Sequence, residues 1–390
     1  MNGNRIHFFV GPGPYKNDAV KYRRNRLAAY VSSLSDDDIV FWIYPLIRKF
    51  RFKNGFEEVS DRLYQLGVPD PLPYHLTSLN GLSHRVFTKK VEQVIQDFGI
   101  EKEMYLWYTF PIFPGLSKFE IWDRVIYDCS DNWGYSWRDP SKGISDKVKY
   151  WMDSLILNAW RSSENKILSN SNKVFVSSKY LKDKHIRKVK SELYLVENGV
   201  DYDKFKDIDT NKKTLKKSEN IPRPRLGYIG GMKQKIDFPL LQKVASKNKK
   251  WNFVFIGPRY DNKEFNKILE LENTYWLGSF RPEKIPQFCK TMDIGLMPYK
   301  KIEYNKGVFP LKFFEYLASG IPVVGCGLPS TKKYEQKGVY IHTKSNPSKF
   351  SKAINKTLNW NDKTIERKEI AKKADWKNKI KFIVKKALKE

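Results

Sequence analysis

The sequence predicts an α/β protein of two doubly wound domains. Three observations carry that expectation: the length of the chain, the spacing of its short apolar runs, and a restart of that spacing after a lysine-rich break. A chain of 390 residues with 41% hydrophobic and 15% aromatic residues buries sizeable cores and is too long for one ordinary domain. Its apolar runs are strand-length and alternate with longer polar, partly helical stretches, the pattern of parallel strands covered on both faces.

In the first half the runs are Ile6–Val10, Ile39–Tyr44, Tyr105–Thr109, Val125–Tyr127, Val174–Val176 and Leu193–Val196, enough for one sheet. Composition then shifts toward Lys, Asn, Asp and Pro over Lys206–Arg225, which reads as a linker. The pattern restarts with Leu226–Ile229, Phe253–Ile256, Asp293–Met297, Pro322–Val324 and Val339–Ile341. Each half is therefore expected to be a Rossmann-like domain: 1–205, a linker at 206–221, then 222–370. Over 371–390, Trp376, Ile380, Ile383, Val384, Ala387 and Leu388 recur at helical spacing with lysines between them. That segment reads as a helix packing back toward the first domain, with a membrane-surface helix as the alternative. Ligands of parallel sheets lie beyond the carboxyl ends of the strands, so two such domains facing across a cleft suit two substrates.

Composition excludes several classes. No run of about 18 or more uncharged apolar residues is present and the N-terminus lacks a signal peptide's apolar stretch, so a soluble cytoplasmic protein is expected. Cys129, Cys289 and Cys326 are odd in number and widely spaced, which argues against a disulfide scaffold, and the five scattered histidines offer no zinc spacing. Asp201/Asp203 and Asp207/Asp209 have the Asp-x-Asp form that can hold a divalent ion but lie beside the linker, so no metal is predicted. The formal charge of +29 predicts attraction to a polyanion, whether nucleic acid, anionic lipid or phosphorylated substrate.

The strongest motif is PLKFFEYLASGIPVV, Pro310 to Val324, in which a helix carrying Leu311, Lys312 and Glu315 leads through Gly320 into a buried strand. It resembles the nucleotide-binding motif of GT-B glycosyltransferases (glycosyl transferase group 1, family 4-like), especially bacterial envelope enzymes of the teichuronic-acid biosynthesis type. The resemblance implies a nucleotide-sugar donor as substrate, with no cofactor and no metal. It also implies that Glu315 accepts hydrogen bonds from the ribose hydroxyls, an arrangement in which a charged acceptor strengthens both bonds. Lys312, one turn earlier, is expected beside the diphosphate. Where many relatives carry a second glutamate eight positions earlier, this chain has Gly307, which leaves Asn305, Lys306 or a backbone amide to meet the sugar.

Two further segments fit the same resemblance. In GYIGGMKQKIDFPLLQKVA (Gly227–Ala245) a strand ends at Gly230-Gly231 and a helix begins near Asp237, similar to the family's pyrophosphate-facing loop. Glycines there allow close backbone approach to a phosphate and the helix N-terminus favours negative charge, although a tight turn explains Gly-Gly equally well. In YWLGSF (Tyr275–Phe280), the resemblance puts Leu277 and Gly278 near the nucleobase.

In the first half, VIYDCSDNWGYSW (Val125–Trp137) sets Asp128 and Asp131 just beyond an expected strand. A carboxylate there can take the acceptor's hydroxyl proton; Asp131 is the first candidate and Asp128 the second, with turn or helix capping as the alternative role. KYRRNRLAAYV opens a helix with Tyr22, Arg23, Arg24 and Arg26, a cluster that in similar envelope enzymes sits at the cleft mouth. It is expected to bind an acceptor or donor phosphate, or else to form a solvated basic face. Asn198-Gly199 suits a turn with positive dihedrals. The expected partners are a nucleotide-sugar donor, probed best as a UDP-sugar, and a saccharide or lipid-linked acceptor, with peripheral contact to an anionic inner membrane face. A sugar-nucleotide 2-epimerase shares this architecture and donor class. A nucleic-acid binder would share the charge and aromatics, but no nucleic-acid motif accompanies them, so no nucleic acid is expected.

Overall fold

The computed structural model of the chain describes residues 5–17, 22–46, 56–69, 102–136, 144–206 and 220–389, together with Ser218 and parts of 88–96. Its contacts gather into two compact units, Met1–Glu197 with Ile380–Glu390, and Asn198–Lys379.

The first unit is built on an eight-stranded sheet: β1 Arg5–Val10, β2 Ile39–Leu46, β3 Glu57–Ser60, β4 Leu63–Pro69, β5 Glu103–Tyr108, β6 Arg124–Cys129, β7 Lys173–Val176 and β8 Glu192–Leu195. The spatial order is β3-β4-β2-β1-β5-β6-β7-β8, parallel except for the antiparallel β3–β4 pair. All six residues of β1 are buried, and so is most of β2, which is why these central strands read as unbroken apolar runs. Phe8 packs on Phe41 and on the edge of Trp122, and Phe9 stacks on Trp107, so aromatic layers fill both faces. Helices Arg23–Val31, Ile144–Asn170 and Lys179–His185 accompany this sheet. The hairpin partner β3 and strand β4 carry polar residues, a Gly and a Pro within EEVS and LYQLGVP, and no apolar run announces them.

The second unit holds six parallel strands: β9 Arg225–Ile229, β10 Asn252–Ile256, β11 Thr274–Trp276, β12 Ile294–Pro298, β13 Val323–Cys326 and β14 Tyr340–His342. Their order is β11-β10-β9-β12-β13-β14. The chain runs outward from β9 in one direction and, from β12, outward in the other. The gap between the carboxyl ends of β9 and β12 is thus the topological switch point, where open α/β sheets bind ligands.

Helix Leu311–Ala318 is fixed over this gap by a specific packing device. Gly295 of β12 and Gly227 of β9 are register partners, and a side chain at Gly295 would place its Cβ 2.4 Å from the Tyr316 ring. Because glycine leaves that space open, Tyr316 lies on the sheet, donating to Gly227 O at 3.2 Å and accepting from Ile229 N at 2.9 Å. Phe313, Phe314, Tyr316 and Leu317 are all buried, and removing one such aromatic from a core costs about 3–5 kcal/mol. The helix that carries the strongest sequence motif is therefore locked against the sheet by its own apolar face.

No described helix is long and apolar enough to cross a membrane. The final helix, Trp376–Leu388, buries Trp376, Ile380, Ile383, Val384 and Ala387, the residues whose spacing predicts it. Gly199 departs from expectation. It is absent from the positive-φ residues and is needed for close approach instead, since a Cβ there would sit 2.5 Å from Ala374 O.

Candidate active site

Lys312 stands one turn before Tyr316 on the same helix face, so the anchoring of Tyr316 against Ile229 carries Lys312 to the end of β9. Its ammonium lies 3.6 Å from the centre of the Tyr228 ring and 5.7 Å from that of Tyr299, the residue that follows β12. A Cβ at Gly230 would stand 2.7 Å from its Nζ, and Gly230 has φ of 138°, a conformation closed to other residues. Lys312 is 9% exposed, and among the described residues no carboxylate or other acceptor pairs with it. Burial chiefly, then the nearby Lys235, and further Lys233, hold its pKa well below the ordinary lysine range, against a smaller upward pull from Glu315. Three lysines, Lys312, Lys235 and Lys233, are thus gathered at this end of the sheet.

The glycine loop differs in detail from its sequence reading. Gly230 N donates to Ile256 O at 2.8 Å, so its amide is used inside the protein. What Gly230 contributes is the missing side chain: Gly257 at the end of β10 also takes positive φ, and a Cβ on it would meet Gly230 O at 2.3 Å. The amide of Gly231 has no acceptor among the described residues, which makes it the donor of the pair. Asp237 caps helix Phe238–Lys247 by accepting from Leu240 N at 3.1 Å, close to the expected helix start.

Pro310 is the N-cap residue of helix Leu311–Ala318, and its fixed φ starts a helix whose first turn holds Leu311 and Lys312. Glu315 is half-buried on that helix, three residues beyond Lys312. Leu277 donates its N–H to Phe255 O at 3.0 Å, while Gly278 has φ of 101° with open space where a Cβ would be. Beside them Trp276 and Tyr260 are partly exposed, with Arg259 stacked over Trp276 at 5.6 Å and Lys233 over Tyr260 at 5.5 Å. Neither aromatic was singled out from the sequence. Asn305, a candidate for a sugar hydroxyl, is fully buried and donates to Lys235 O at 3.1 Å and Lys300 O at 2.8 Å, so it braces two loops. Lys306 pairs with Glu303 at 2.7 Å.

In the first unit the sequence-singled residues separate into two kinds. Asp128 lies within β6, not beyond it, and is 1% exposed. Arg23 turns inward to meet it, donating from Nε to Oδ2 at 2.9 Å with a second contact of 2.5 Å, and also donates to Val196 O. Burial raises the Asp128 pKa and Arg23 pulls it back. Arg23 and Asp128 are therefore a buried structural pair, which corrects their reading as a phosphate ligand and a second-choice base. Tyr22 and Arg24 stay at the surface: Tyr22 is 37% exposed and the Arg24 guanidinium stacks 4.5 Å over its ring. Asp131 is in the loop after β6 and half-buried; Trp137 lies outside the described residues.

That loop rests on a network invisible in the sequence. Cys129 Sγ donates to Glu164 Oε1 at 3.5 Å, and His185 Nε2 lies 3.9 Å from the sulfur and 3.7 Å from the same oxygen. Tyr127 donates to Glu164 Oε1 at 2.9 Å and the Lys184 ammonium is 3.5 Å from Oε2. Burial pushes the thiol up and brings His185 down to about 4. These side chains have metal-ligand chemistry, but a hydroxyl, a thiol and an ammonium already serve the carboxylate. The network ties β6 to helices Ile144–Asn170 and Lys179–His185.

Residues 223–359 match the family model for glycosyl transferases group 1. Over 386 residues the chain is 34% identical to a Bacillus subtilis (strain 168) protein named as a teichuronic acid biosynthesis glycosyltransferase, TuaH, covering 95% of this chain and 94% of that one. The chain belongs to the group 1 glycosyltransferases. Structures of the same architecture include a sucrose-phosphate synthase from Thermosynechococcus elongatus, with a TM-score of 0.69, 11% identity, and 97% and 94% of the two chains covered. They include Anabaena HepE in complex with UDP (TM-score 0.65, 13% identity, 98% and 99% covered). A UDP-forming α,α-trehalose-phosphate synthase from Burkholderia vietnamiensis is similar as well (TM-score 0.66, 11% identity, 98% of each chain). At such identities these likenesses show the fold, which is GT-B. The span matched to the group 1 glycosyltransferases contains β9 through β14 and the whole Lys312 site.

Proposed function

We propose that the chain transfers a sugar from a UDP-sugar to a hydroxyl of a cell-envelope saccharide, carried free or on a lipid. The observation that bears most of the weight is the buried Lys312 ammonium, without an acceptor, at the β9–β12 switch point beside the unused Gly231 amide. A diphosphate supplies the missing acceptor. Glu315, farther along the same helix, then accepts from the ribose hydroxyls, and the open space at Gly278 with partly exposed Trp276 and Tyr260 suits a planar base. HepE, of the same fold, is known with UDP and with UDP-glucose, and TuaH by its name works in teichuronic acid synthesis, which favours uridine and an envelope acceptor.

The reaction then needs a base for the acceptor hydroxyl. Asp131 is assigned that role, since Asp128 is committed to Arg23. Tyr22 and Arg24 are assigned to an acceptor phosphate. Calorimetric titration with UDP, GDP and ADP, repeated on Glu315→Ala, tests the donor assignment. UDP binding weakened roughly tenfold or more in the variant, with the fold intact, is expected from loss of a charged acceptor of about 1.5–3 kcal/mol. Unchanged UDP affinity would remove Glu315 from the site. Product analysis completes the test: transfer releases UDP and lengthens the acceptor, whereas an altered sugar still attached to UDP would mark an epimerase.

A further inference from the structure

The last helix spends its apolar face on the first unit and leaves a basic one outside. Ile380, Ile383, Val384 and Ala387 are buried, and Arg124 donates to Ala387 O at 3.1 Å. Outward stand Lys381, Lys385, Lys386 and Lys389, all exposed, with Phe382 42% exposed between them. Lys381 and Lys385 stand one turn apart on the helix, about 6 Å along it, and Lys389 follows just beyond its last residue. No described carboxylate pairs with any of these lysines; the nearby Glu192 of β8 pairs with Lys173 at 3.1 Å. Lys386 instead lies 5.4 Å over the Tyr194 ring, which Phe382 meets edge-on at 6.1 Å.

Like charges at four-residue spacing repel, so this face is destabilised unless an anionic surface compensates it. We propose that the Lys381–Lys389 face of this helix docks the protein on the anionic headgroups of a lipid bilayer. Charge complementarity selects an anionic partner, and the form of the face selects a lipid surface. The lysines stand on the outer face of a helix, and Phe382, 42% exposed among them, suits the headgroup boundary. Because the apolar face is buried, attachment is electrostatic and reversible by salt. The inference deepens the reading of an envelope acceptor but does not depend on the donor site, since no residue of the face belongs to it.

The test is flotation of the full-length protein with phosphatidylcholine vesicles, with and without phosphatidylglycerol. The helix variant replaces Lys381, Lys385, Lys386 and Lys389 by Gln. A control of equal charge replaces Lys243, Lys247, Lys249 and Lys250, exposed lysines in or just after helix Phe238–Lys247. Wild type is expected to bind only phosphatidylglycerol vesicles and to leave them in high salt. At about fivefold per lysine, the helix variant with its four replacements binds roughly 600-fold more weakly while the control stays near wild type. Equal loss in both variants would assign the effect to overall charge, and no vesicle binding by wild type would also overturn the proposal. So would a helix variant that keeps its vesicles but loses DNA, which would make nucleic acid the partner. UDP affinity measured on the same variants reports the donor site separately, and is expected to be unchanged.

Discussion

Replacing Lys312 by methionine separates binding from stability because it pushes the two in opposite directions. In the free protein the ammonium is buried against Tyr228, with Lys235 and Lys233 adding positive charge and no acceptor in reach. Methionine fills similar space without charge, so the unliganded variant is expected to be at least as stable as wild type, by about 1 kcal/mol or more. Nucleotide binding loses a charged partner of the diphosphate, which costs about 2–4 kcal/mol, or roughly thirtyfold to a thousandfold in affinity. The pH dependence carries an independent sign. With the folded pKa held below the ordinary value, the unfolded chain binds the extra proton between the two, so free-protein stability rises with pH across that window. A bound diphosphate favours the ammonium. UDP binding to wild type therefore takes up a proton, and affinity falls as pH rises through the folded pKa; the variant does neither. Calorimetry with UDP in buffers of different ionisation enthalpy, from about pH 7 upward, together with thermal unfolding, reads all of these. A variant that binds UDP within threefold of wild type would refute the assignment of Lys312 to the diphosphate.

The two carboxylates after β6 separate by readout. Asp128→Ala leaves Arg23 buried without its partner and is expected to cost about 3–5 kcal/mol of stability, seen as a lower unfolding midpoint. Asp131→Asn is expected to leave that midpoint unchanged and to suppress transfer while UDP still binds; full turnover would move the base elsewhere. His185 predicts acid sensitivity. With its pKa lowered to about 4, the unfolded chain takes up the proton first, so stability is lost as pH falls from about 6.5 toward 4, by roughly 3 kcal/mol at the lower end. Denaturant titrations of wild type and His185→Gln should show a shallower acid limb in the variant; parallel curves would exclude His185 as the source.

The central strands were legible because burial on both faces writes itself as an apolar run, as in Phe8–Val10 or Phe253–Ile256. β3 and the three-residue β11 were not, since both are short strands at a sheet edge, where that demand relaxes, and β4 was not because Gln65, Gly67 and Pro69 interrupt its apolar residues. Lys312 and Glu315 could be chosen because they sit on one helix turn within a recognisable motif. The surroundings that give Lys312 its chemistry, Tyr228 beneath it and Tyr299 across the switch point, come from other strands and follow only from packing. The same limit explains Arg23. In sequence it is one of a run of arginines, and nothing local tells which one turns inward to a partner 105 positions away. Cys129, Glu164 and His185 lie on three separate elements, so spacing could not have joined them.

The first unit is discontinuous: it opens the chain and takes back the stretch from Ile380 onward. In synthesis, most of this unit is made before the second unit, yet it lacks the stretch from Ile380 until the whole of the second unit has been translated. A stop codon just before Ile380 would spare every residue of the second unit and strip Ile383, Val384 and Ala387 from the first. Such a truncated chain should keep UDP binding while its N-terminal unit is held open to proteases. An affinity tag fused after Glu390, likewise, is attached to the unit that holds β1.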